Sequence, residues 1–109
     1  MTPNPLGKAT LISPSGTITD NTPTYTWNAV KNATRYRLWV NDSTAENVID
    51  QSYTADAVNC GDGTGECAVT PETVLADDTF EWWIQAQNDS GDGPWSDDGM
   101  FFTVDTSSE

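Results

Sequence analysis

Apolar and polar positions alternate with a period of two along most of this chain, and no segment of useful length carries the 3.6-residue apolar period of a helix. Residues 9–13 read as a first short strand, stopped by Pro14, Ser15 and Gly16. Residues 23–28 put Tyr25 and Trp27 on one face, and Lys31, Asn32 and Ala33 form a turn. Residues 34–41 put Tyr36, Leu38 and Val40 on one face and Arg35, Arg37 and Trp39 on the other. Residues 47–54 are a weaker strand, and residues 67–70 a short one stopped by Pro71. The strongest alternation runs over residues 80–88. There Phe80, Trp82, Ile84 and Ala86 oppose Glu81, Trp83, Gln85 and Gln87. Residues 89–94 read as a hairpin loop, after which Trp95, Ser96 and residues 100–104 close the domain. This pattern predicts an all-β, two-sheet antiparallel β-sandwich of seven strands, with essentially no helix.

Composition narrows the chemistry. The 109 residues suit one domain over residues 8–105, between linker-like segments at 1–7 and 106–109. Apolar residues are only 36% of the chain, yet five are Trp, so a few large side chains must fill the core. With 17 acidic residues against four basic ones the net charge is -13, which repels phosphate backbones and excludes nucleic acid as a partner. Without His there is no Ser-His-Asp triad, no His-ligated zinc and no imidazole base. Cys60 and Cys67 are the only cysteines, and they predict a disulfide closing a Gly- and Asp-rich loop in an extracellular setting. No stretch is long and apolar enough to cross a membrane.

Several runs resemble the fibronectin type III family. Pro23-Thr24-Tyr25-Thr26-Trp27 resembles its second strand, with a buried Trp. Residues 80–88, followed by Ser90-Gly91-Asp92-Gly93-Pro94-Trp95-Ser96, resemble its sixth strand and the loop after it, and Phe101 to Val104 its last strand. The resemblance covers residues 11–104 and implies an immunoglobulin-like sandwich. Ser13-Pro14-Ser15-Gly16-Thr17-Ile18 and Leu38-Trp39-Val40-Asn41-Asp42 are similar to a variant found in tandem in bacterial surface and secreted proteins. The chain departs from the family pattern where Phe80 replaces a corner Tyr, five residues after Leu75, and in its cysteine-closed loop. It has no Arg-Gly-Asp tripeptide, so integrin binding does not carry over.

Two tryptophans are left without a core role. If Tyr36 and Trp82 point inward, Trp39 and Trp83 point outward. The resemblance implies that the third and sixth strands are neighbours, which would put both indoles on one exposed face. Arg35, Arg37 and Lys31 lie on or beside this strand, and Gln85 lies near Trp83. Three readings are open: a sugar-binding platform of Trp39, Trp83, Arg35, Arg37 and Gln85, a cross-strand aromatic pair with Arg stacked on it, or a contact with a neighbouring module. Trp27, Trp82 and Trp95 are assigned to the fold.

The acidic residues Asp89, Asp92, Asp97 and Asp98, with Asp62 and Glu66, are calcium candidates that lack the spacing of a full calcium loop, and no cofactor or metal ligand is expected. Carboxylates in loops without a cleft do not make a glycosidase, so no catalytic residue is expected. The expectation is a non-catalytic, monomeric module of a secreted bacterial polysaccharide-degrading or surface protein. Its ligand would be an anionic polysaccharide, uronate-containing or sulfated. The alternative is a spacer or protein-interaction module with no ligand of its own.

Overall fold

Alternating sequence becomes alternating burial in the central strands, and this alternation creates two faces with different fates. The computed structural model describes residues 7–61, 64–88, 91–96 and 99–106. Its strands are β1 (Leu11–Ser13), β2 (Gly16–Ile18), β3 (Tyr25–Asn28), β4 (Arg35–Asn41), β5 (Asn47–Thr54), β6 (Glu66–Val69), β7 (Asp78–Asn88), β8 (Gly91–Trp95) and β9 (Met100–Val104). They form a two-sheet, all-β sandwich. One sheet has the order β1-β3-β6, and the other β2-β9-β7-β4-β5, with β8 also paired to β7. The only helical turn among the described residues is a 3-10 turn at Asp56–Val58.

Two expectations need correction. Nine strands are present among the described residues where seven were expected, because Gly16–Ile18, which begins at an expected strand stop, and Gly91–Trp95, most of which reads as a loop, are strands of their own. Gly16–Ile18 pairs with β9, and Gly91–Trp95 extends the supposed hairpin loop along β7. Nor is the sandwich wholly antiparallel, since β2 and β9 run parallel, with Gly16 opposite Phe102 and Ile18 opposite Val104. Pro14 separates β1 from β2, so that consecutive short strands join opposite sheets. Trp82 secures this crossing, its Nε1–H donating to the Pro14 carbonyl at 3.2 Å.

The core forms where the inner faces meet. Tyr25 and Trp27 from β3 oppose Tyr36, Leu38 and Val40 from β4, Trp82 and Ile84 from β7, and Phe102 from β9, all essentially inaccessible to solvent. Trp82 stands at the centre, edge-on to Tyr25 at 5.2 Å and to Trp27 at 6.5 Å between ring centroids. Phe80 stacks on Phe102 at 5.4 Å. Each such ring contributes on the order of 2–3 kcal/mol by burial alone. Trp27 and Trp82 are thus core residues, as their alternation predicts.

Cys60 and Cys67 form the predicted disulfide, with Cα atoms 5.3 Å apart and both side chains fully buried. It ties the segment after the 3-10 turn to β6, where Cys67 lies opposite Trp27. Closing this short loop stabilises the fold by about 2–3 kcal/mol through the unfolded chain. Reduction should therefore lower the unfolding free energy in urea by about that amount. Identical oxidised and reduced unfolding curves would refute the structural role of this bond.

Candidate functional site

The outer face of the larger sheet is set by the pairing of β4 with β7. Seven consecutive residue pairs run from Arg35 opposite Gln87 to Asn41 opposite Glu81, with no bulge. Trp39 therefore lies directly opposite Trp83, the neighbour relation expected of them. Direct cross-strand partners have Cβ atoms about 4.5–5.5 Å apart. Both indoles are half-buried.

A third indole joins them. Trp95 is opposite Gln85 on β8 and meets Trp39 edge-to-face, with ring centroids 6.2 Å apart. Assigned to the fold with Trp27 and Trp82, it does not share their burial: the side chain is half-buried on the outer face. Parity along the chain does not reveal this, because the β7–β8 register shifts between Gln85 and Gln87. Trp39, Trp83 and Trp95, with Asn41 and Ser96, line an open recess of about 450 Å³. The volume lies in the range of small-ligand sites, roughly 300–1,000 Å³.

Arg37 organises the recess from its edge. Its guanidinium lies 5.2 Å from the Trp39 ring centroid and 5.7 Å from that of Trp95. It also grips Asp50 on β5 with two hydrogen bonds, Nε to Oδ1 at 2.7 Å and Nη2 to Oδ2 at 2.8 Å. The hydrogen bonds from Arg37 hold the Asp50 carboxyl below its ordinary value of 3.8, and the same bonds raise the Arg37 value. This pairing corrects the expectation of a free cationic strip, since the positive charge of Arg37 is matched by Asp50.

The glutamines are also committed to the protein. Gln85 is 8% exposed and donates from Nε2 to the Gly93 carbonyl at 3.0 Å. Gln87 donates to Gln85 Oε1 at 3.3 Å and accepts from Arg35 Nε at 3.0 Å. Gln85, expected on the exposed platform, is thus buried and supports β8. Arg35 and Lys31 remain exposed.

Gly99 seals the opposite side of Trp83. A Cβ at this position would lie 2.7 Å from Trp83 Cε2 and would also collide with Glu81, so only glycine lets the chain pass this close to the indole. Of the calcium candidates, Asp62, Asp89, Asp97 and Asp98 lie outside the described residues. Among the described residues, no group of three acidic or cysteine side chains gathers to hold a metal. No protein-family model and no curated protein sequence matches this chain.

Two outcomes follow from these contacts. The lowered Asp50 value means that its stabilisation is present above the ordinary carboxylate range and is lost as pH falls through the folded-state value. Asp50→Asn should therefore lower the melting temperature slightly at about pH 7, for a loss on the order of 0.5 kcal/mol, and the gap to the parent should close in acid as the pH falls through the lowered folded-state value. A gap that persists in acid would rule out the ion pair as its source. Gly99→Ala should displace the Trp83 indole and cost about 1–3 kcal/mol, seen as altered near-ultraviolet circular dichroism and a lower melting temperature. An unchanged spectrum and melt would show that the passage over Trp83 is loose.

Proposed function

We propose that this chain is a non-catalytic, fibronectin type III-like module of a secreted protein, and that it binds polysaccharide on the outer face of β4, β7 and β8. With β2 and β8 set aside, the remaining seven strands divide in chain order into first, second and fifth against third, fourth, sixth and seventh. This division supports the family reading, which requires the third and sixth strands to be neighbours. The buried disulfide is compatible with an extracellular location. Among the described residues no helix is long and apolar enough to cross a membrane.

One observation carries the binding reading: three indoles line a single open recess outside the core. Folding alone already buries Trp27 and Trp82 completely. Flat indole faces match the C–H-rich faces of pyranose rings, and an apolar recess with a few polar groups is the usual form of a small-ligand site. Among the described residues, the recess is lined by three indoles, an amide and a hydroxyl, a lining suited to holding a sugar.

The stacking of Arg37 on Trp39 and Trp95 favours a second reading, a spacer whose outer tryptophans stabilise the sheet. The two readings separate under mutation. Trp39→Ala and Trp83→Ala should each abolish retardation in polysaccharide affinity gels while leaving a cooperative thermal transition. Retardation that survives in both variants would exclude this face as the site. No retardation of the parent protein by any glycan would favour the spacer.

A further inference from the structure

The indole recess does not end at Trp39. Asn41 lines it and also lines a second recess of about 310 Å³, bounded by Asp42, Phe80, Glu81 and Phe101. Phe101, the second residue of β9, is 60% exposed, while Phe102 beside it is 1% exposed in the core. Phe101 lies opposite Glu81, and Glu81 lies opposite Asn41, so one row of the sheet connects the two ends of this recess. From Asn41 to Phe101 is two inter-strand steps, about 10 Å. The two recesses together therefore run obliquely from Trp95 past Trp39 and Trp83, across Asn41 and Glu81, to Phe101, longer than a single sugar ring.

The polar groups along this path select against negative charge. Asp42 and Glu81 flank the second recess, and Arg37 is already matched by Asp50. The chain as a whole carries -13, so an anionic ligand meets repulsion both locally and at long range. Asn41 lines both recesses, and its Oδ1 is buried with no hydrogen-bond partner among the described residues. An unsatisfied buried acceptor is unfavourable, and rotation of the Asn41 amide toward the recess would let a ligand hydroxyl satisfy it. A proline-rich peptide, the other common occupant of aromatic grooves, has few such donors because proline has no N–H.

From these observations we infer that the site takes a neutral, polyhydroxylated glycan chain bound along its length, with the three indoles as one subsite, Phe101 as a second and Asn41 between them. This inference rests on the polysaccharide reading above. It replaces the expected anionic ligand with an uncharged one and requires several consecutive sugar units.

Isothermal titration of the whole chain tests both parts. The probes are cello-, xylo- and manno-oligosaccharides from the disaccharide to the hexasaccharide, with oligogalacturonates, oligoalginates and poly-L-proline as competing classes. A neutral series should bind, with affinity rising until both recesses are filled. Phe101→Ala should then weaken the longest oligomer about fivefold and leave the shortest binding ligand unchanged, as loss of one aromatic contact predicts. Asn41→Ala should weaken the oligomers that span the junction, and thermal melts should show both variants folded. If affinity stops rising at the shortest binding ligand and Phe101→Ala has no effect, while Trp39→Ala still abolishes binding, the second subsite is overturned and the indole site stands. Preference for the acidic oligomers would overturn the neutral-ligand inference alone. Binding of poly-L-proline instead, or of no glycan at all, would overturn both.

Discussion

The bulge-free pairing of β4 with β7 is the constraint on which the rest of the molecule depends. Seven residue pairs in unbroken register place Tyr36, Leu38 and Val40 beside Ala86, Ile84 and Trp82 on the inner face. The same register places Trp39 opposite Trp83 on the outer face. A slip of one residue would turn over the faces of one strand, either exposing Trp82 or burying Arg37. The large free-energy difference between those arrangements means that the core, built around Trp82, enforces the geometry of the outer recess. Stability and the candidate function are thus coupled through a single pair of strands.

Around that pair, the outer face is ordered by polar contacts rather than by burial. Arg37 touches two indoles and is itself fixed by Asp50 from the neighbouring strand. Beneath Trp95, a chain of hydrogen bonds runs from Arg35 through Gln87 and Gln85 to the carbonyl of Gly93. These contacts hold β8 against β7 and stand Trp95 beside Trp39. Pre-positioned rings lose little freedom when a ligand arrives, which favours binding by a shallow surface.

Much of this was legible from alternation, residue by residue. Trp27 and Trp82 were placed in the core and Trp39 and Trp83 outside it, because a period of two leaves a strand residue only two directions to face. The same rule applies to Phe101, which faces solvent because its neighbour Phe102 is core. Gln85 escaped for another reason. Alternation correctly directs it away from the core, but burial under β8 depends on a strand whose Gly- and Pro-containing sequence reads as a loop.

By itself, then, the sequence determined the all-β class, the inner and outer sets on β4 and β7, and the disulfide. Those properties follow from local periodicity, side-chain volume and cysteine count, which need no knowledge of distant neighbours. Only the tertiary structure decided that β2 crosses to pair with β9, that Trp95 turns back over β7, that Asp50 matches Arg37, and that Asn41 joins two recesses. Each of these depends on register between segments far apart in the chain. Register is fixed by the packing of the whole core, so no local pattern of apolar and polar residues encodes it.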